Sequence, residues 1–189
     1  MNLPNLITLS RLALAIPFLL LLEWNGYERI ALVIFVIASL TDWVDGYLAR
    51  KWNQVTPLGQ LLDPLVDKLL VTGALVALCA RGIIPAWSVT LILFREFLVT
   101  GLRALEASRG VIVQAGWWGK WKAAIQMIAI ILLLAALDST GLPVEGATLA
   151  KVATISYWFA VGLTVASGIQ YGLAAKHAFS NATRPSTPA

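Results

Sequence analysis

The stretch from residue 42 to residue 67, DWVDGYLARKWNQVTPLGQLLDPLVD, decides how the chain must fold. It inserts four carboxylates between two strongly apolar segments. Asp42 and Asp45 are three residues apart and Asp63 and Asp67 are four apart, so each pair lies on one face of a helix. The connection between the pairs is short, polar and basic. The two helices should therefore return antiparallel and face each other, so that the four acids meet in one cavity.

Small residues continue the two acidic faces. Gly46 and Ala49 follow the first pair of acids, and Gly59 precedes Asp63 by four residues. Side chains this small allow a ligand to lie against the helix backbone.

An acidic cluster between apolar segments needs a counter-charge. Each acid at mid-membrane depth costs roughly 2.5 to 3.5 kcal/mol, and neighbouring acids repel one another. Mg²⁺ or Mn²⁺ suits such oxygen ligands, and two ions about 3.5–4 Å apart form a clamp for displacement at phosphorus. The alternative is a helix hairpin whose acids pair with Arg50, Lys51 and Lys68.

The composition favours a membrane protein over a soluble one. Of 189 residues, 59% are apolar and only 13% are charged. A net charge of +4 is too dilute to indicate nucleic-acid binding and suits anionic lipid headgroups. Cys79 is the single cysteine and His177 the single histidine, which excludes an intrachain disulfide, a His/Cys zinc site and a Ser-His-Asp triad.

Hydrophobic segments predict an all-α membrane protein, a bundle of six transmembrane helices with a polar cavity that faces the cytosol. The N-terminal segment has no basic start and no cleavage site, so it is predicted to be a retained helix. The predicted spans run to Leu22, from about Ile30 into the acidic stretch, from Leu58 to Arg81, from Ile84 to Glu106, from Lys122 to Leu137, and from Ala147 to Ala174. Residues 1–178 form one membrane domain, and the polar segment 179–189 is predicted to be a disordered tail. The excess of Lys and Arg orients the acidic cluster toward the cytosol.

Several basic residues near the predicted cytosolic side have two interpretations. Thr8 and Arg11 form a polar stripe on the first helix, which faces either lipid headgroups or a bound phosphate. Arg103 shares a helix face with Glu96 and is also three residues from Glu106, as in an ordinary intrahelical pair. Lys120 and Lys122 open the fifth helix, where they meet anionic lipid or an anionic substrate.

The spacing D-x2-D-G-x2-A-R-x8-G-x3-D-x3-D resembles that of the CDP-alcohol phosphatidyltransferases, which are integral membrane enzymes of phospholipid synthesis. The resemblance implies transfer of a phosphatidyl group from a CDP-linked lipid to an alcohol, with CMP leaving. It implies that Asp42, Asp45 and Asp63 hold two metal ions and that Asp67 contributes a ligand to the second ion. Asp67 is also the candidate general base. It further implies that the nucleotide is lined by Gly46, Ala49, Arg50 and Gly59.

Three further segments resemble the family members that use sn-glycerol 3-phosphate as acceptor and CDP-diacylglycerol as donor. They are N-L-P-N-x-I-T-x-x-R at the start, R-E-x4-G-L-R in the fourth helix, and G-K-x-K followed by Gln126. The phosphate of that acceptor would be held by Thr8, Arg11, Arg103, Lys120 and Lys122. Ala123 departs from the pattern, because a threonine is expected there. The resemblance also implies a homodimer in the bacterial inner membrane, surrounded by membrane lipids.

Two alternatives to this function stay open. The same fold could use another acceptor, such as phosphatidylglycerol, inositol or serine, since the acidic spacing is common to enzymes of several acceptors. The acids could instead line a cation transporter, because intramembrane acids often mark ion paths.

Overall fold

The structure is a computed structural model, and it describes the backbone of residues 3–24, 26–52, 57–108, 117–138 and 145–182. Side chains are described for residues 13–24, 26–41, 68–106, 108, 121–137 and 146–176. Within the described backbone the chain is all-helical. The six helices are α1 (Leu3–Glu23), α2 (Glu28–Trp52), α3 (Pro57–Ala80), α4 (Ala86–Ser108), α5 (Trp117–Asp138) and α6 (Glu145–Ala182).

The helices lie where the hydrophobic pattern predicts them, and their ends agree with the sequence to within several residues. The main difference is α6, which has 38 residues and runs to Ala182. It therefore extends four residues past the predicted boundary at residue 178. Polar residues such as Asn181 do not stop a helix by themselves when no glycine or proline intervenes, and the first proline after α6 is Pro185.

The turn between α3 and α4 explains how the chain reverses there. Gly82 has a φ angle of +71°, a conformation that glycine adopts at little cost. Its N–H donates to the carbonyl of Cys79 at 2.9 Å, and the N–H of Ile83 donates to the carbonyl of Leu78 at 3.0 Å. This pair of hydrogen bonds is a Schellman motif, which satisfies the last carbonyls of α3 and ends the helix.

One continuous core joins the six helices. α1 packs against α2 and α3, α5 packs against α2 and α6, α4 packs against α6, and α3 also contacts α4 and α5. The largest fully buried apolar side chains are Phe18, Leu22, Phe35, Leu75, Leu78, Ile92, Ile130 and Leu134. Where α3 meets α1, Gly73 leaves room for Leu19, and a Cβ at this position would overlap the leucine side chain. Such close approach is how helices associate when the surroundings are as apolar as the core.

The outer surface of the bundle is also apolar. Phe94, Phe97, Ile155 and Phe159 each expose more than half of their surface. Water-soluble monomers rarely expose large apolar patches, whereas lipid-facing helices do. Within the described residues, Gly146–Lys176 is long and apolar enough to cross a membrane, and shorter apolar segments are Ala13–Glu23, Lys68–Ala80 and Trp121–Leu137.

Arg81, at the end of α3, contacts the end of α1 and the start of α2. Its guanidinium donates to a carboxylate oxygen of Glu28 at 2.8 Å, to the carbonyl of Leu22 at 2.9 Å, and to the carbonyl of Trp24 at 3.2 Å. The end of α3 therefore lies beside the end of α1 and the start of α2. Because α2 and α3 have 25 and 24 residues and are joined at their other ends by residues 53–56, the two helices run antiparallel, as predicted.

The ion pair at this end predicts a pH-dependent stability. The guanidinium of Arg81, by hydrogen bonding to Glu28, holds the pKa of that carboxyl below its ordinary value of 4.5. A lowered folded-state pKa means that the stabilisation is present above the ordinary value and is lost as the pH falls through the lowered one. Replacing Arg81 with Met should lower the free energy of unfolding by about 1–3 kcal/mol at neutral pH, because it removes hydrogen bonds to a carboxylate and to two carbonyls.

The measurement is the thermal unfolding midpoint in detergent of the wild type and of Arg81→Met, at neutral pH and well below 4.5. The difference should shrink in acid. Lys151→Met is the control, because Lys151 is exposed and this change removes the same charge. A difference that is equally large in acid, or an equal effect of Lys151→Met, would contradict the assignment.

Candidate functional site

The predicted metal and nucleotide residues lie on α2 and α3. α2 carries Asp42, Asp45, Gly46, Ala49 and Arg50, and α3 carries Gly59, Asp63 and Asp67. Their side chains lie outside the described ones, as do those of Thr8 and Arg11 on α1 and Lys120 on α5. Among the side chains that are described, no three His, Cys, Asp or Glu residues form a group that could hold a metal ion.

The distance of each acidic position from the Glu28–Arg81 contact can be obtained by counting residues along α2 and α3. Position 42 is fourteen residues along α2 from Glu28, and position 67 is fourteen residues back along α3 from Arg81. Positions 45 and 63 are seventeen and eighteen residues from the same two contact residues. At a rise of about 1.5 Å per residue, the first two positions are about 21 Å and the second two about 26 Å from the Glu28–Arg81 contact. The two acidic pairs therefore stand at matching depths on antiparallel helices.

A cavity of about 100 Å³ is lined on α3 by Lys68, the residue that follows Asp67. It lies between α3, α4 and α5. Its polar lining side chains are Lys68, Thr72, Glu96, Lys122 and Gln126, and its apolar ones include Leu75, Ile92, Leu93 and Met127. A cavity lined by apolar side chains and a few charged and polar ones suits a small polar ligand that is oriented by its charge.

Lys122, one of the predicted acceptor residues, lines this cavity as half of an ion pair. Its ammonium pairs with a carboxylate oxygen of Glu96, and Lys122 is 4% exposed. A buried charge of this kind is stable only when it is paired, and Glu96 provides that partner from the neighbouring helix. α4 and α5 are therefore held together at the cavity by opposite charges.

A second contact joins α3 to α4 beside the same cavity. The ammonium of Lys68 donates to the hydroxyl of Thr100, and that hydroxyl donates to the backbone carbonyl of Glu96 at 2.7 Å. From the sequence, Lys68 was expected only as a partner for the aspartates, and no role was predicted for Thr100. The available signal was the four-residue spacing of Lys68 and Thr72, which puts both on one face of α3 directly after Asp67.

Two contacts of α4 differ from those that helix spacing alone indicates. Arg95 and Glu96 are adjacent, so their Cβ atoms point in different directions, yet the guanidinium of Arg95 donates to Glu96 at 3.2 Å. The long side chain of arginine is flexible enough to reach back over its neighbour. Arg103 lies over the ring of Tyr171 on α6, with 5.4 Å from the guanidinium carbon to the ring centroid, and the Tyr171 hydroxyl donates to Glu106 at 2.6 Å. Tyr171 thus replaces the expected Arg103–Glu106 pair by contacting both residues.

The two predicted acceptor residues whose side chains are described, Arg103 and Lys122, lie in different places. Lys122 belongs to the cavity between α3, α4 and α5. Arg103 is exposed and lies against α6. Lys68 and Lys122 therefore bring two cations to the cavity, of which Lys68 directly follows Asp67 on α3, whereas Arg103 is a cation on the α6 side.

Comparison with known proteins shows which family this chain is similar to. Residues 1–166 match the family model for CDP-alcohol phosphatidyltransferase. A CDP-diacylglycerol–glycerol-3-phosphate 3-phosphatidyltransferase of Bacillus subtilis strain 168 is 45% identical over 184 residues, which cover 90% of this chain and 93% of the relative. An enzyme of the same name from Rickettsia bellii is 39% identical over 94% of this chain and 97% of the relative.

A similar relative comes from a third bacterial group. A probable phosphatidylglycerophosphate synthase of Mycobacterium tuberculosis strain H37Rv is 39% identical over 90% of this chain and 79% of its own length. The family model spans the acidic stretch on α2 and α3 and the three helices around the cavity. With all eight positions of the acidic spacing present in that matched region, this chain belongs to the CDP-alcohol phosphatidyltransferase family.

Proposed function

We propose that this protein is a phosphatidylglycerophosphate synthase, which transfers the phosphatidyl group of CDP-diacylglycerol to sn-glycerol 3-phosphate and releases CMP. The observation that carries the proposal is the 45% identity, over nine-tenths of this chain, to a relative named for that reaction. The enzyme class is therefore a transferase of phospholipid biosynthesis.

The acidic residues suit a pair of hard divalent cations. Asp42, Asp45, Asp63 and Asp67 would hold two ions, Mg²⁺ or Mn²⁺, which when bound neutralise the pyrophosphate of the donor. Carboxylate oxygens are the ligands that these ions prefer, and the matching depths of the two acidic pairs on antiparallel helices support the assignment. Gly46, Ala49, Arg50 and Gly59 lie on the same helices and would line the cytidine nucleotide.

The chain supplies a base and a binding site for the acceptor. Asp67 would take the proton of the acceptor hydroxyl while that oxygen attacks the phosphorus next to diacylglycerol. A new oxygen–phosphorus bond forms, the bond to the CMP oxygen breaks, and CMP leaves. Positioning of the two substrates supplies much of the rate in such a displacement.

The cavity favours an anionic acceptor over a neutral one. Lys68 and Lys122 both line it, beside the single carboxylate of Glu96. Thr8, Arg11, Arg103 and Lys120 would add to the cationic surroundings of the acceptor phosphate. Ala123 also lines the cavity, so a threonine there would have brought a hydroxyl to it, and the acceptor must be held without that contact.

The exposed apolar side chains of the bundle support a location in the membrane. The six helices would span the bacterial inner membrane, with the acidic positions on the cytosolic side and membrane lipids around the exposed apolar side chains. The domain would comprise residues 1–178, and the enzyme would act as a homodimer.

An acceptor screen tests the proposed function. Purified protein is supplied with CDP-diacylglycerol and with sn-glycerol 3-phosphate, phosphatidylglycerol, inositol or serine in turn, each with and without a chelator, while CMP release is followed. Rapid release with sn-glycerol 3-phosphate, and its loss with chelator, is the expected result. Release with a different alcohol alone would assign another acceptor, and cation flux in liposomes without any nucleotide would favour a transporter instead.

Asp63→Asn should abolish CMP release while the protein stays folded. The substitution keeps the shape of the side chain but removes the negative charge that a divalent ion requires. A loss of at least about 100-fold in kcat is expected, since the charge is needed in the transition state. Turnover near that of the wild type would remove Asp63 from the metal site; an unchanged unfolding midpoint checks the fold.

Replacing both Lys120 and Lys122 with Ala should chiefly raise the KM for the acceptor. Removing two cations from an anion site should weaken binding by roughly 10- to 100-fold, with little change in the KM for CDP-diacylglycerol. Lys176→Ala is the matched control, because Lys176 is exposed near the end of α6. A larger effect on the donor than on the acceptor would show that the acceptor site is elsewhere.

A further inference from the structure

Arg95 is a half-buried cation that the proposed chemistry does not use. It lies on α4 and reaches toward α6, where its guanidinium donates to the hydroxyl of Ser167 at 3.0 Å. Ser167 is 3% exposed, and its own hydroxyl donates to the carbonyl of Thr164 at 3.1 Å. The Nε of Arg95 is buried without a hydrogen-bond partner. A charge is held in this place at a cost, which a merely apolar helix contact would avoid.

α6 is shaped to receive the arginine. Gly168 lies beside the aliphatic part of Arg95, and a Cβ on this glycine would stand 2.9 Å from the Cγ of the arginine. That distance is too short for two carbon atoms, so a larger residue at position 168 would displace the arginine side chain. Gly172, one turn further along α6, has open space where its Cβ would be.

The same guanidinium contacts Glu96, which lines the cavity. It donates to the Oε1 atom of Glu96 at 3.2 Å, and this is the oxygen that pairs with Lys122. A chain of contacts therefore runs from Ser167 on α6 through Arg95 and Glu96 on α4 to Lys122 on α5. Glu96 and Lys122 line the cavity, whereas Arg95 does not.

We propose that Arg95 is a positioning residue for the acceptor site, acting through Glu96 on Lys122. This inference rests on the proposed function for the identity of the acceptor. Glu96 and Lys122 alone would form a neutral pair. By sharing the carboxylate, Arg95 gives the three side chains a net positive charge and fixes the oxygen that orients the ammonium of Lys122. The cavity thereby keeps both the charge and the geometry that an anionic headgroup needs.

The consequence is a specific kinetic pattern. Arg95→Ala and Glu96→Gln should each raise the KM for sn-glycerol 3-phosphate by about tenfold, with a smaller effect on the KM for CDP-diacylglycerol. Arg95→Lys keeps the charge and should recover part of the loss. A residue that only holds α4 against α6 would instead lower stability and affect both substrates alike.

A matched pair of glycine substitutions tests the route through Arg95. Gly168→Ala should raise the acceptor KM, whereas Gly172→Ala, the same change one turn away, should leave it unchanged. In the Arg95→Ala background there is no Cγ to displace, so Gly168→Ala should then have no further effect. Equal effects of the two glycine substitutions, or an undiminished effect of Gly168→Ala in the Arg95→Ala background, would overturn the proposal.

Chemical labelling of Lys122 provides a readout that does not depend on the acceptor. The full-length protein in detergent is treated with acetic anhydride, and the extent of modification at Lys122 is read by mass spectrometry. Arg95→Ala and Gly168→Ala should each change the labelling of this buried, paired lysine, and Gly172→Ala should match the wild type. Unchanged labelling in all variants would overturn the positioning role. Altered labelling in a protein that does not use sn-glycerol 3-phosphate would keep that role and reject the proposed acceptor.

Discussion

Charges inside an apolar bundle must be paired, and this constraint governs how the helices of this protein meet. At one end, Arg81 joins the ends of α1 and α3 to the start of α2. At the cavity, Glu96 pairs with Lys122 and with Arg95, and so connects α4 to α5 and to α6. Apolar packing gives little directional preference between helices that also face lipid. The paired charges therefore determine which faces come together and at what depth.

The two groups of charges have different consequences for the site. The Arg81 contact joins the start of α2 to the end of α3, about 20–26 Å along the helices from the acidic positions. The contacts of Glu96 with Arg95 and Lys122 lie at the cavity, because Glu96 and Lys122 both line it. A helix is stiff over a length of about 20 Å, so a contact at one end can align residues at the other.

In the proposed function, the acidic residues and the cavity have different roles in phosphatidyl transfer. Acidic residues on α2 and α3 suit cations that neutralise the pyrophosphate of a liponucleotide. Lysines on α3 and α5 suit the anion that attacks it. Placing opposite charges on adjoining helices allows both to persist at membrane depth, because each type of charge lowers the energetic cost of the other.

The sequence alone determined the elements and the chemistry of the acidic stretch. Spacings of three and four residues are local properties of a helix, so they predict the acidic faces, and the short polar connection predicts the antiparallel return of α2 and α3. Hydrophobic segments of sufficient length predicted six helices. Only the tertiary structure decided that Lys122 meets Glu96, that Arg95 turns back to its neighbour, and that Tyr171 stands between Arg103 and Glu106. These contacts join residues from different helices or depend on side-chain rotamers, and no spacing along the chain specifies which helices become neighbours.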